Sequence, residues 1–342
     1  MRSTARLVLF ALLVAATACA IPDGGPKSAK KPAAPREFAA KHLNAAHKAI
    51  GNRDYDAALA TLSVAQSSTK LNESERALVL GSKAYVYSLQ KKYPEAIGAY
   101  QQALALDALP DGETGLYAYN LGQLYIATER YDDAVRELEE LARRQGTAKP
   151  EVEMGLANAY WGRNDSAKAL PLAQSAVSKR ADAPEAWLRL LASLYLDQRQ
   201  YERGAEVLEQ GLAEGRIEPS TKTLDALATA WFKAGDPAKA ESVLRRAAEN
   251  ASDGRADLRL GQLLVEEKKW EPGAAALESA LRKGGLDQPA TAELLLGIAR
   301  FEQGEYGAAR VALEKAAATD KTRAEAREWL EELAAKQAKP RR

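Results

Sequence analysis

A packing signature returns along this chain at a spacing of roughly 36 residues, and no other feature limits the fold as much. It reads Leu121-Gly122-x-x-Tyr125, then Tyr131-x-x-Ala134, then Leu138-x-x-Leu141. Tyr87 with Tyr93-x-x-Ala96 and Tyr100-x-x-Ala103 is a second copy, and Leu191-Ala192-x-x-Tyr195 with Tyr201-x-x-Gly204 a third. Later copies run through Leu227-Ala228-x-x-Trp231, Leu260-Gly261-x-x-Leu264 and Leu296-Gly297. The anchors are Tyr55, Tyr93, Tyr131, Ser166, Tyr201, Pro237, Trp270 and Tyr306, with successive gaps of 38, 38, 35, 35, 36, 33 and 36 residues. A fixed period of this length calls for stacked units in which each buries its apolar face on the next.

Each unit divides into two stretches of about a dozen residues whose apolar positions follow the helical period, not the strand period of 2. A short turn joins them, such as 303–305 or 234–236, with Gly as the helix stop. Two helices joined this tightly bring their backbones close, which accounts for Gly or Ala beside Leu and Tyr.

The order Leu-Gly-x-x-Tyr, Gly-Asp/Glu-Tyr-x-x-Ala, then an aromatic residue or Leu and a further Ala resembles the tetratricopeptide repeat. The resemblance covers about residues 39–321 as eight copies. Copy one is degenerate, with Ala45, Ala46 and Ala49 where Leu-Gly and Tyr are usual. Copy four has Ser166 in place of the turn aromatic, and copy eight has Arg300 in place of Tyr. The family implies an all-α, right-handed solenoid of helix-turn-helix units over residues 38–321. Residues 322–342 then supply an amphipathic capping helix and tail. A pentatricopeptide array is the rival of similar length. It is usually basic, whereas this chain has formal net charge +1 and no basic run of the kind that binds nucleic acid.

The amino terminus reads differently. Arg2 and Arg6 precede an apolar run of about ten residues from Leu7 to Ala16, followed by Thr17, Ala18 and Cys19. The run is shorter than the roughly 20 residues a spanning helix needs. Residues 1–18 therefore read as a signal peptide of lipoprotein type. Cys19 is the only cysteine in the chain, so it has no disulfide to form. The segment resembles a bacterial lipobox, with Ala16 where Leu is usual, and the resemblance makes Cys19 the lipid-attachment residue. Residues 19–37 are rich in Pro, Gly and Lys and read as a disordered tether. Lys27, Lys30, Lys31 and Arg36 read as solvated. Ala20 after the cysteine implies outer-membrane sorting by the enterobacterial rule. Loss of residues 1–18 removes Arg2 and Arg6 and takes the formal charge from +1 to −1. That balance argues against nucleic acid as a partner.

Catalytic patterns do not emerge. His42 and His47 are five apart, so a helix points them ~140° away from each other. There is no zinc spacing, no phosphate loop and no Gly-x-Ser-x-Gly elbow. Glu139-Glu140, Glu266-Glu267 and Glu331-Glu332 read as solvated helix faces. The expectation is a protein with neither enzymatic activity nor a cofactor.

In the family, the first helix of each pair lines a concave groove. Carrying those positions over gives Tyr85, Tyr119, Asn120, Gln123, Asn158, Trp161, Arg189 and Phe232 as the partner-binding set, with His47 and Gln262 at its ends. Amides donate and accept, so they bond peptide backbone of any sequence. Aromatic rings add contact area at low entropic cost. The carboxylate clamp of chaperone-binding members is not matched, because Leu43 and His47 stand where Lys and Asn are required.

The expectation is a lipid-anchored scaffold facing the periplasm that binds a protein or peptide and supports an envelope machine. Type IV pilus secretin assembly and the motility apparatus are examples. The alternative is an adaptor or degenerate enzyme in cell-wall or glycan processing, which would need an aromatic platform with paired carboxylates about 5–10 Å apart.

Overall fold

The computed structural model of the protein describes residues 35–146 and 149–338, and all seventeen elements there are α-helices. The chain divides into two compact units, Met1–Leu190 and Leu191–Arg342. The first holds α1 (Glu37–Gly51), α2 (Tyr55–Gln66), α3 (Glu73–Leu89), α4 (Tyr93–Ala105), α5 (Asp111–Ala127), α6 (Tyr131–Gln145), α7 (Pro150–Gly162), α8 (Ser166–Ser178) and the start of α9 (Glu185–Asp197). The second holds the rest of α9 and α10 (Tyr201–Ala213), α11 (Thr221–Lys233), α12 (Pro237–Asn250), α13 (Arg255–Glu266), α14 (Trp270–Lys283), α15 (Pro289–Glu302), α16 (Tyr306–Ala317) and α17 (Asp320–Ala338). Cys19, the signal segment and the tether up to residue 34 lie outside the described residues. No described helix is long and apolar enough to cross a membrane.

Every one of the eight anchors is the first residue of an even-numbered helix. Two residues before each anchor the backbone turns left-handed. Arg53, Lys91, Glu129, Asn164, Arg199 and Lys268 have φ of 58–65°, while Gly235 and Gly304 have 86° and 79°. The next N–H then reaches back to the carbonyl five residues earlier, as from Asp54 to Ala49 and from Glu305 to Arg300, both at 2.9 Å. This closure satisfies carbonyls that a helix end otherwise strands. Glycine, expected as the stop, serves at only two of the eight turns. The hydrogen-bonded closure holds the other six residues in a region that a side chain disfavours.

The small residues meet the close approach expected of them. A Cβ on Gly122, Gly261 or Gly297 would lie 2.6 Å from Leu138, Leu277 or Leu313 on the paired helix. A polar stitch then ties one copy to the next. Tyr125 accepts from Gln101 at 2.9 Å, and Tyr160 donates to Glu139. Arg300, which stands where the signature has Tyr, is ion-paired to Glu278. Gln101, Glu139 and Glu278 each lie eight residues past the anchor of their copy, so Arg300 keeps the same connection with different chemistry.

Two buried acids repeat in register as well. Glu153 meets Lys179 at 2.6 Å and Asp257 meets Lys283 at 2.8 Å, each pair 26 residues apart. Each pair lets a charged residue occupy a core position without an unpaired charge.

Both ends of the described chain are secured. Glu37, placed by composition in the tether, opens α1, and Arg36, although exposed, is ion-paired to Glu75. The nearly buried Glu75 of α3 accepts from the Arg36 backbone N–H at 2.9 Å and from its Nε at 3.0 Å. It also accepts from Nη2 at 2.6 Å and from the Asn72 N–H at 2.9 Å. These donors hold the carboxyl well below its ordinary range, at about 2. At the other end α17 packs on α15 and α16, with Trp329 edge-on to Phe301 at 5.2 Å and Leu333 fully buried.

Candidate functional site

Odd-numbered helices pack on their own partners and also on one another. In the first unit α1 meets α3 and α5 meets α7; in the second α11 meets α13, α13 meets α15 and α15 meets α17. Gly81 of α3 gives its space to the Tyr117 ring of α5, and Gly155 of α7 gives its space to Gln123 of α5. The sequence placed the partner-binding side chains on these odd-numbered helices. All eight of those side chains are half-buried, seven in the first unit and Phe232 in the second.

The structure separates them by what their polar atoms already do. Asn120 donates to the Tyr100 hydroxyl at 3.1 Å, which gives a buried phenol its partner and uses one of the two N–H donors of this amide. Arg189 is paired with Glu185 one turn earlier on α9 at 2.5 Å. Trp161 is engaged with its neighbours at the end of α7. Tyr85, Tyr119, Gln123 and Asn158 make no side-chain hydrogen bond among the described residues. Tyr85, Gln123 and Asn158 occupy one equivalent place on α3, α5 and α7, two residues before the signature tyrosines Tyr87, Tyr125 and Tyr160. Burial pushes the Tyr119 phenol up to about 12, so at neutral pH it is a hydroxyl donor.

The sequence reading missed the charged groups beside this row. Arg180 follows α8 and bridges Glu151 at 2.8 Å and Asp182 at 3.0 Å, with its guanidinium 5.3 Å from the Trp187 ring centroid. Tyr119 feels both Glu151 and Arg180.

The sequence reading named only Gln262 of a cleft of about 770 Å³ in the second unit. Leu244, Ala247, Leu258 and Leu286 supply its apolar lining, and Lys222, Asp225, Arg255, Arg259, Gln262 and Asp287 its polar one. Arg259 is fixed by Asp225 at 2.6 Å, Gln262 at 3.2 Å and Thr229 at 3.3 Å. The register that selects Phe232 also selects Lys222 and Asp225, and one copy later Arg255, Arg259 and Gln262. That signal was present, but aromatic and amide residues were favoured over charged ones. Phe232 is half-buried at the far end of α11 and does not line the cleft.

These surfaces offer hydrogen bonds, aromatic area and paired charges. The carboxylates of Glu151 and Asp225 are each held by an arginine. No group of three metal-ligating side chains occurs among the described residues.

Two family models, both described as tetratricopeptide repeat, match the chain. One covers residues 75–145, and the other covers 119–186, 189–255 and 258–324. Among solved structures, a tetratricopeptide repeat protein from Parabacteroides merdae aligns with TM-score 0.50 and 15% identity, over 77% of this chain and 99% of that one. The C-terminal part of a TPR repeat-containing protein from Cytophaga hutchinsonii aligns with TM-score 0.59 and 16% identity, over 72% and 98%. At these identities the likeness is one of fold. No curated protein matches the chain.

Proposed function

Because the chain belongs to the tetratricopeptide-repeat family, a fold that is typically a non-catalytic scaffold for protein or peptide partners, we propose that its first unit holds an extended protein segment. The segment lies along the odd helices. The observation that carries this reading is the set of unspent hydrogen-bonding groups at Tyr85, Tyr119, Gln123 and Asn158. A row of amides and phenols bonds the N–H and C=O groups that every peptide presents, so it grips backbone while the rings take side-chain area.

The amino-terminal sequence adds a place of action. Cys19 carries the lipid, residues 20–34 carry the fold away from the membrane, and Ala20 directs the protein to the outer membrane. The partner is then a component of a periplasmic envelope machine, with secretin assembly for type IV pili or the motility apparatus as the leading examples. Palmitate labelling that persists in Cys19→Ala contradicts the anchor. For the groove, wild type and the Gln123→Ala, Asn158→Ala double variant are compared in capture from the native envelope. The expected result is one protein recovered by wild type and reduced at least tenfold with the variant. Equal recovery, or no protein recovered by wild type, contradicts the groove assignment.

A further inference from the structure

The second unit carries a surface of different chemistry, and its charges are unevenly satisfied. Arg259 is neutralised by Asp225 at 2.6 Å and Arg255 by Asp253 at 2.7 Å. Two charged side chains that line the same cleft have no ion pair among the described residues. They are Lys222, in the first turn of α11, and Asp287, just before α15. Both are exposed, and Asp287 lies within the electrostatic reach of Arg255. They have opposite sign and belong to opposite sides of α13, which packs on both α11 and α15. Leu258 of α13, with Leu244 and Leu286, gives the cleft its apolar surface.

We propose that this cleft binds an extended peptide segment with an acidic residue for Lys222, a basic residue for Asp287 and an apolar side chain between them. The spacing follows from the helices. Two interhelical steps of about 8–10 Å separate α11 from α15, and an extended chain covers ~16–20 Å in about five or six residues. Unpaired rim charges of opposite sign reward only a peptide that satisfies both, and they penalise one of uniform sign by like-charge contact. The paired arginines between them are held in place and add fixed donors without net charge. Gln262 adds a donor and an acceptor for the peptide backbone.

This inference deepens the peptide-binding reading for the odd-helix face, but it rests on residues separate from Gln123 and Asn158. Fluorescence anisotropy of the whole protein with seven-residue labelled peptides tests it. One peptide series has Glu at one end, Leu in the middle and Lys at the other, made in both chain directions. Three controls have Glu at both ends, Lys at both ends, or Gln at both ends. At least one mixed-charge peptide is expected to bind tenfold tighter than every control. Lys222→Glu should transfer the preference to the peptide with two lysines, and Asp287→Lys to the peptide with two glutamates. Both side chains are exposed, so unchanged thermal melts are expected to accompany the transfers. The Gln123→Ala, Asn158→Ala double variant should leave these affinities unchanged. Equal binding of mixed and uniform peptides, binding of none, or a preference that the charge reversals do not move overturns the proposal. Loss of mixed-peptide binding in the Gln123, Asn158 variant overturns it too, by placing the site in the first unit.

Discussion

At the scale of single residues, departures from the repeat signature are where the physics is most specific. Arg300 is an example, because a guanidinium paired with Glu278 replaces a phenol bonded to the preceding copy. Arg300 also bonds Glu305 at 2.6 Å across its own turn, so it joins two copies and closes one. Arg300→Ala should cost about 1–2 kcal/mol, below the full range for a hydrogen bond to a charged group because Glu278 and Glu305 are partly exposed. Arg300→Tyr should recover most of that loss, and urea melts of the two variants check both. Equal destabilisation by Ala and Tyr would show that Tyr cannot replace the link. Glu75 makes a pH argument of the same kind. Its folded pKa is about 2 against an ordinary 4.5, so its contribution is present above pH 4.5 and is lost as pH falls toward 2. Glu75→Gln cannot titrate. The stability gap between wild type and this variant should therefore be widest above pH 4.5 and shrink below it. A gap constant from pH 6 to pH 2.5 in thermal melts would contradict the assignment.

The element scale is governed by the turn inside each helix pair. Six of the eight left-handed turn residues carry side chains, although glycine reaches the same φ without the steric cost. Replacing Lys91, Glu129, Arg199 or Lys268 by Gly should stabilise the protein by about 0.5–1 kcal/mol per turn. The left-handed cost of about 1–2 kcal/mol is removed, and part of the gain is returned through the freer unfolded chain. A rise in urea midpoint at unchanged slope is the expected sign, and a fall would mean that these side chains make stabilising contacts. The same turns explain what was legible in advance. Anchor residues Tyr55 to Tyr306 were readable because each opens its helix and is half-buried in every copy. Left-handed residues were not, because the closure from five residues on is a backbone hydrogen bond and asks nothing of the side chain. The clasp of Glu75 on Arg36 was invisible for a related reason. Its partners are 39 residues apart and occur once, so no period marks them.

For the molecule as a whole, a repeat chain makes cores easier to read than surfaces. Core positions recur, so Leu138, Leu277 and Leu313 announce one another. Surface positions such as Asn120 and Gln123 look equivalent in sequence, yet one amide is bound to Tyr100 and the other is not, and only packing between copies decides which. Neighbour-to-neighbour construction also sets how such a chain fails. Each pair is stabilised by the pairs beside it, so a terminal pair depends on whatever covers its outer face. In the second unit that cover is α17, which places Trp329, Leu330 and Leu333 against Phe301, Tyr306 and Leu313. Full burial of one such side chain is worth about 1.5–3 kcal/mol, and only Leu333 is fully buried. Ending the chain at Thr319 should then remove about 4 kcal/mol from the α15–α16 pair on that scale. The loss should be local, since α1–α3 in the first unit have their own core around Leu43, Leu62, Val79 and Val86. Amide hydrogen exchange distinguishes the outcomes. Faster exchange in α15 and α16, with α3 to α6 unchanged, is expected of a removed cap. Unchanged exchange in α15 and α16 would mean that the last pair holds without α17, and uniform acceleration along the chain would mean that the repeats unfold as one cooperative block.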